Sequence, residues 1–85
     1  MKEFSYTVKD ADGLHARPAG LMVQCAKSCT SDVTIRFNGK TADAKRIFAV
    51  MGLDVKRDNE ITVVLEGPDE SADCEKLKSF CEANI

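Results

Sequence analysis

The sequence predicts an α+β fold, with four short strands in an antiparallel or mixed sheet and three helices on one face, in the order β-α-β-β-α-β-α. Three observations predict it. Apolar residues alternate with polar ones at Phe4, Tyr6 and Val8, at Val33, Ile35 and Phe37, and at Ile61, Val63 and Leu65, the period of strands buried on one face. Between and after them run stretches with helical periodicity. The whole chain of 85 residues has room for one core, so residues 1–85 form a single domain.

The elements follow in order. The first strand ends in a turn-like stretch, Asp10-Ala11-Asp12-Gly13. A helix is expected over residues 17–28, where Ala19, Met22, Val23 and Ala26 share a face that Pro18, Cys25 and Cys29 extend. Pro18 suits the first turn, where a backbone N–H would have no partner in any case. After the second strand, Asn38-Gly39 marks a two-residue hairpin turn into a strand over residues 40–43. Ile47, Phe48, Val50, Met51 and Leu53 form a short apolar cluster, read as helical, with Val50 and Leu53 assigned to the core. Gly67-Pro68-Asp69 closes the last strand, and Asp69 reads as the N-cap of a final helix that buries Leu77, Phe80 and Cys81 with Cys74 at its edge. Ser5, Thr7, Thr34, Arg36, Thr62 and Glu66 are expected to face solvent.

Composition excludes several classes. A net charge of -2 supplies no basic excess with which to neutralise nucleic-acid phosphates. Lys40, Lys45, Arg46, Lys56 and Arg57 nevertheless crowd the middle of the chain, a basic group able to steer an acidic protein partner. No apolar run has the length of a membrane span, and the first residues lack the pattern of a signal peptide, so the expected location is the cytoplasm, with cysteines reduced.

The stretch richest in chemistry is Gly13-Leu14-His15-Ala16-Arg17-Pro18-Ala19-Gly20. His15 is the only histidine, and it stands where a turn gives way to a helix. Free N–H groups of the first turn, those of Ala16 and Arg17, make such a position an anion site. The helix dipole and Arg17 both disfavour the imidazolium form, leaving a neutral ring nitrogen able to attack phosphorus. Arg17 offers a planar fork for phosphate oxygens. Position alone does not separate this reading from a capping or surface histidine.

The stretch resembles the phosphorylation-site signature of HPr, the histidine-containing phosphocarrier of the phosphoenolpyruvate-dependent sugar phosphotransferase system. The resemblance extends to the length, the element order, Asn38-Gly39-Lys40, residues 47–51 and Gly67-Pro68-Asp69-Glu70. It implies an open-faced β-sandwich, a four-stranded antiparallel sheet covered on one face by three helices. It implies that His15 accepts a phosphoryl group from phosphoenolpyruvate through enzyme I, with Arg17 as its partner, and passes it to sugar-specific permease components of the EIIA type. The protein is then a stoichiometric carrier, not an enzyme in its own right, needing no cofactor or metal. It would act as a monomer on protein partners. By the same resemblance, Gly20, Leu21, Gln24, Ile47, Phe48 and Met51 form the docking surface. Helical projection agrees in placing Leu21 off the buried stripe, although a singly exposed leucine is also ordinary.

The sequence departs from the family pattern in places. Arg46 occupies the position of a regulatory serine found in many such proteins, so no hydroxyl is available there and the short helix loses an N-cap, a loss of about 1 kcal/mol. Asp43 is a candidate cap slightly earlier. Gly52 and Asp54 are further departures. Asp12 reads as capping the turn before His15, or else as opposing a phosphoryl group there. These changes leave open a regulatory relative that signals by His15 phosphorylation and binds transcriptional regulators. Cys25, Cys29, Cys74 and Cys81 match no zinc or redox spacing and are read as buried, reduced thiols.

Overall fold

The computed structural model describes all 85 residues. The elements are β1 (Lys2–Thr7), α1 (Ala16–Lys27), β2 (Asp32–Phe37), β3 (Lys40–Asp43), α2 (Ile47–Gly52), β4 (Glu60–Glu66) and α3 (Glu70–Asn84). The strands form one antiparallel sheet in the order β1-β4-β2-β3, so β4 is inserted between β1 and β2. This is the open-faced sandwich that the resemblance implies.

Register explains why the alternating pattern is so clear. Phe4 pairs with Val63, Val63 with Ile35, and Ile35 with Ala42, a buried row crossing all four strands. One residue along, Ser5, Thr62, Arg36 and Thr41 form a polar row on the opposite face. There Arg36 Nη2 reaches Glu3 at 3.4 Å. The helices cover the apolar face, and Leu14, Met22, Ile35, Ile61, Leu65 and Leu77 are fully buried between the layers. Val50 and Leu53 join them, as expected. The β2–β3 hairpin turns at Asn38 and Gly39, both with positive φ (52° and 79°), as a tight two-residue turn requires.

The loops hold most of the corrections. Asp69 occupies the N-cap position of α3, but its side chain makes no capping bond. Its Oδ2 instead accepts the Thr30 hydroxyl at 2.8 Å, while Glu70 Oε2 accepts the Gly67 N–H at 3.1 Å. In the turn before His15, Asp12 is exposed and its N–H donates to Asp10 Oδ1 at 2.9 Å; the capping carboxylate is Asp10. Asp43 does not cap α2: its Oδ1 accepts the Lys45 N–H at 2.9 Å, a turn bond that ends before the helix begins. Arg46, the N-cap of α2, supplies no side-chain bond. Asp73, unassigned from sequence, is buried on α3, where its Oδ2 accepts the Ser31 N–H at 3.0 Å and the Ser31 hydroxyl at 2.6 Å. The Ser31 hydroxyl bond holds this carboxyl below its usual range and ties α3 to the start of β2.

Three of the five basic residues in the middle of the chain have polar partners. Lys45 Nζ donates to the Cys29 carbonyl at 3.2 Å, Arg46 Nε lies 3.8 Å from Asp43, and Lys56 pairs with Asp54 at 3.5 Å. Lys40 and Arg57 are exposed and make no ion pair.

Burial divides the cysteines, contrary to a uniform reading. Cys29 and Cys81 are buried, whereas Cys25 and Cys74 are half-buried, and all four are free thiols. Phe80 is also only partly buried. Burial pushes the Cys81 thiol up to about 12 and raises Cys29 and Cys25 as well. Because the thiolate is the reactive form and needs access to the reagent, an aromatic disulfide reagent at pH 8 should modify half-buried Cys25 and Cys74 before buried Cys29 and Cys81, with all four reacting after denaturation. Labelling of native Cys81 as fast as Cys74, read by peptide mass mapping, would contradict this packing.

Candidate functional site

The site begins with a close approach between two loops. Gly13 has φ +63°, and a Cβ there would lie 2.1 Å from the Val55 carbonyl oxygen, so no larger residue fits. The next residue, Leu14, is fully buried, and its N–H donates to that same carbonyl at 2.9 Å. With Gly13 and Leu14 fixed against Val55, His15 is delivered to the N-cap of α1 in extended conformation (φ -126°, ψ 158°). Its side chain remains 40% exposed.

The helix start around it is open. His15 makes no side-chain capping bond, and no acidic residue lies in the first turn of α1. The N–H groups of Ala16 and Arg17 donate to no carbonyl of the chain, and Pro18 has none to offer. Ala16 has φ +50°, a left-handed conformation that is unfavourable for alanine by about 1–2 kcal/mol and is held only by its surroundings. The Arg17 side chain is exposed and makes no hydrogen bond or ion pair. These groups make the helix end positive and anion-accepting.

The carboxylate beside the ring has no counterpart in the sequence pattern. Asp54, reached as the chain leaves α2, places Oδ1 3.2 Å from His15 Nε2. Its backbone is left-handed, φ +58°. Lys56 Nζ lies 3.5 Å from the same oxygen. The His15 hydrogen bond first, and the Lys56 charge next, hold the Asp54 carboxyl below its usual range. An ionised carboxylate only accepts hydrogen bonds, so the pair requires a proton on Nε2. The sequence motif surrounds His15 with positive groups alone; 39 residues separate it from Asp54, and no local pattern links them.

Of the docking candidates, Gly20 and Ile47 are brought together. Helices α1 and α2 pack side by side, with the Ile47 Cδ1 atom 3.8 Å from where a Gly20 Cβ would stand. Leu21, Ile47 and Met51 are half-buried and Gln24 is exposed, whereas Phe48 projects from α2 with 84% of its surface free. None of the surface depressions is lined by His15. No three His, Cys, Asp or Glu side chains are grouped to hold a metal ion. No helix is long and apolar enough to cross a membrane.

Known proteins resemble this chain along its length. Residues 2–83 match the family model described as the PTS HPr component phosphorylation site. The HPr-like protein Crh of Bacillus subtilis (strain 168) is 41% identical over 73 residues, covering 86% of each chain. The crystal structure of HPr-C-His from Thermoanaerobacter tengcongensis superposes with a TM-score of 0.94 at 36% identity, covering 99% of this chain and 94% of that one. A crystal structure of an HPr dimer from the same organism covers 98% of this chain and 95% of its own, at 36% identity and a TM-score of 0.77.

Gly13→Ala tests the loop contact. The strained φ and the backbone overlap together should lower stability by about 3 kcal/mol or more, read as a fall in the urea midpoint. A Gly13→Ala protein as stable as the parent would show that the two loops do not meet as described.

Proposed function

The chain belongs to the HPr family of the phosphotransferase system, and we propose that it is a phosphocarrier whose His15 accepts a phosphoryl group from enzyme I and passes it to sugar-specific permease components. The observation that carries this reading is the pairing of a partly exposed His15 with an open helix N-terminus, inside the stretch matched by the phosphorylation-site family model. A ring lone pair attacks phosphorus, the bond from phosphorus to the donor breaks, and the electron pair stays on the donor atom. The free N–H groups of Ala16 and Arg17 and the guanidinium of Arg17 receive the phosphoryl oxygens. An N–P bond is labile, which suits relay.

A site that is not recessed favours a protein as the transfer partner. In this reading exposed Phe48, with Ile47 and Met51 on α2 and Gly20, Leu21 and Gln24 on the adjoining α1, supplies the apolar contact for the partner. A methionine in such a patch lets one surface adapt to successive partners. We read the carrier as a cytoplasmic monomer, although the HPr of Thermoanaerobacter tengcongensis has been crystallised as a dimer. A second reading is favoured by Arg46, which leaves the start of α2 with no hydroxyl. In it the protein is a regulatory relative that signals by the same His15 phosphorylation to transcriptional regulators.

Incubation with phosphoenolpyruvate and enzyme I should add one acid-labile, base-stable phosphoryl group, and His15→Ala should abolish it. Absence of an adduct on the parent, or an adduct that survives in His15→Ala, would overturn the proposal. Addition of EIIA-type components should then discharge the carrier; a phosphorylated form that they leave intact favours the signalling reading.

A further inference from the structure

We propose that Asp54 is a positioning residue for His15, holding the imidazole with its proton on Nε2 so that Nδ1 presents the lone pair that takes the phosphoryl group. The inference rests on the reading of His15 as phosphoryl acceptor and deepens it.

Asp54 Oδ1 is 3.2 Å from Nε2, a distance at which a ring N–H donates to a carboxylate. Nε2 is thereby occupied by a proton, and the neutral ring has its only free lone pair on Nδ1. The other charged group against this pair is Lys56, 3.5 Å from the same carboxylate oxygen, a cation that limits repulsion of an incoming phosphoryl group by Asp54. The aspartate is itself fixed. Its N–H donates to the Met51 carbonyl at 3.1 Å, and it occupies a left-handed backbone position that glycine fills without strain. Aspartate at a position so suited to glycine is accounted for by what its side chain touches.

The chemical consequence concerns both directions of transfer. On charging, the Nδ1 lone pair forms the N–P bond while the bond from phosphorus to the donor breaks, and the Nε2 proton stays in place. The phosphorylated ring then carries a positive charge facing the Asp54 carboxylate. On discharge, the acceptor's nucleophile attacks phosphorus, the N–P electron pair returns to Nδ1, and the ring leaves as neutral imidazole. Neither step needs a proton transfer at the ring.

The test uses the whole chain with labelled imidazole nitrogens. In the parent, nitrogen NMR should show the Nε2–H tautomer throughout the neutral ring population. Asp54→Gly, which the backbone accepts, should lower that population and slow charging by phosphorylated enzyme I about two- to fivefold, the scale of a solvent-exposed pair. Asp54→Asn keeps an acceptor oxygen and should restore both. Unchanged tautomer and rate in Asp54→Gly, or failure of Asp54→Asn to restore either, would overturn the inference. Absence of charging in the parent would instead overturn the phosphocarrier reading, and the tautomer comparison would still decide the role of Asp54.

Discussion

The site depends on one backbone contact, the Leu14 N–H bonded to the Val55 carbonyl at 2.9 Å. It joins loops that lie far apart in sequence, and it forms only because Gly13 has no side chain to keep them separate. On one side, buried Leu14 anchors the residue before His15 in the core. On the other, Val55 is buried too, and it fixes the turn that carries Asp54 and Lys56. The sheet and its helices supply the rigid support, but this crossing sets the distance between imidazole and carboxylate. A hydrogen bond of this kind contributes only about 0.5–1.5 kcal/mol net, so its larger effect is on geometry.

Groups of both signs accompany the ring. The end of α1 presents unpaired N–H groups and Arg17, while Asp54 lies against Nε2. In the proposed reading these have separate tasks: the helix end receives phosphoryl oxygens, and the carboxylate orients the ring. A relay must neither refuse its cargo nor hold it. In that reading a site at the surface leaves both charging and discharge to the partner that docks.

Most of the fold is legible in the sequence because it rests on local periodicity. The strands alternate cleanly since one face of the sheet is buried and the other is polar, and Asn38-Gly39 specifies its turn by φ alone. His15 and Arg17 are legible as a motif at a helix start. The features that escape a sequence reading are tertiary. Asp54 meets His15, Asp73 meets Ser31 and Asp69 meets Thr30 across gaps of 39, 42 and 39 residues, so none leaves a local pattern. Asp10 and Asp12 are both plausible turn caps by residue type, and only the chain path selects Asp10. Cys29 lies past the end of α1, and Cys74 and Cys81 differ on α3 by a fraction of a helical turn, finer than a helical projection resolves.

The most direct measurement is phosphorus–nitrogen coupling in the protein charged by enzyme I. The account predicts a single phosphorus bonded to His15 Nδ1, with Nε2 still protonated. Phosphorus on Nε2, or on any residue other than His15, would contradict it.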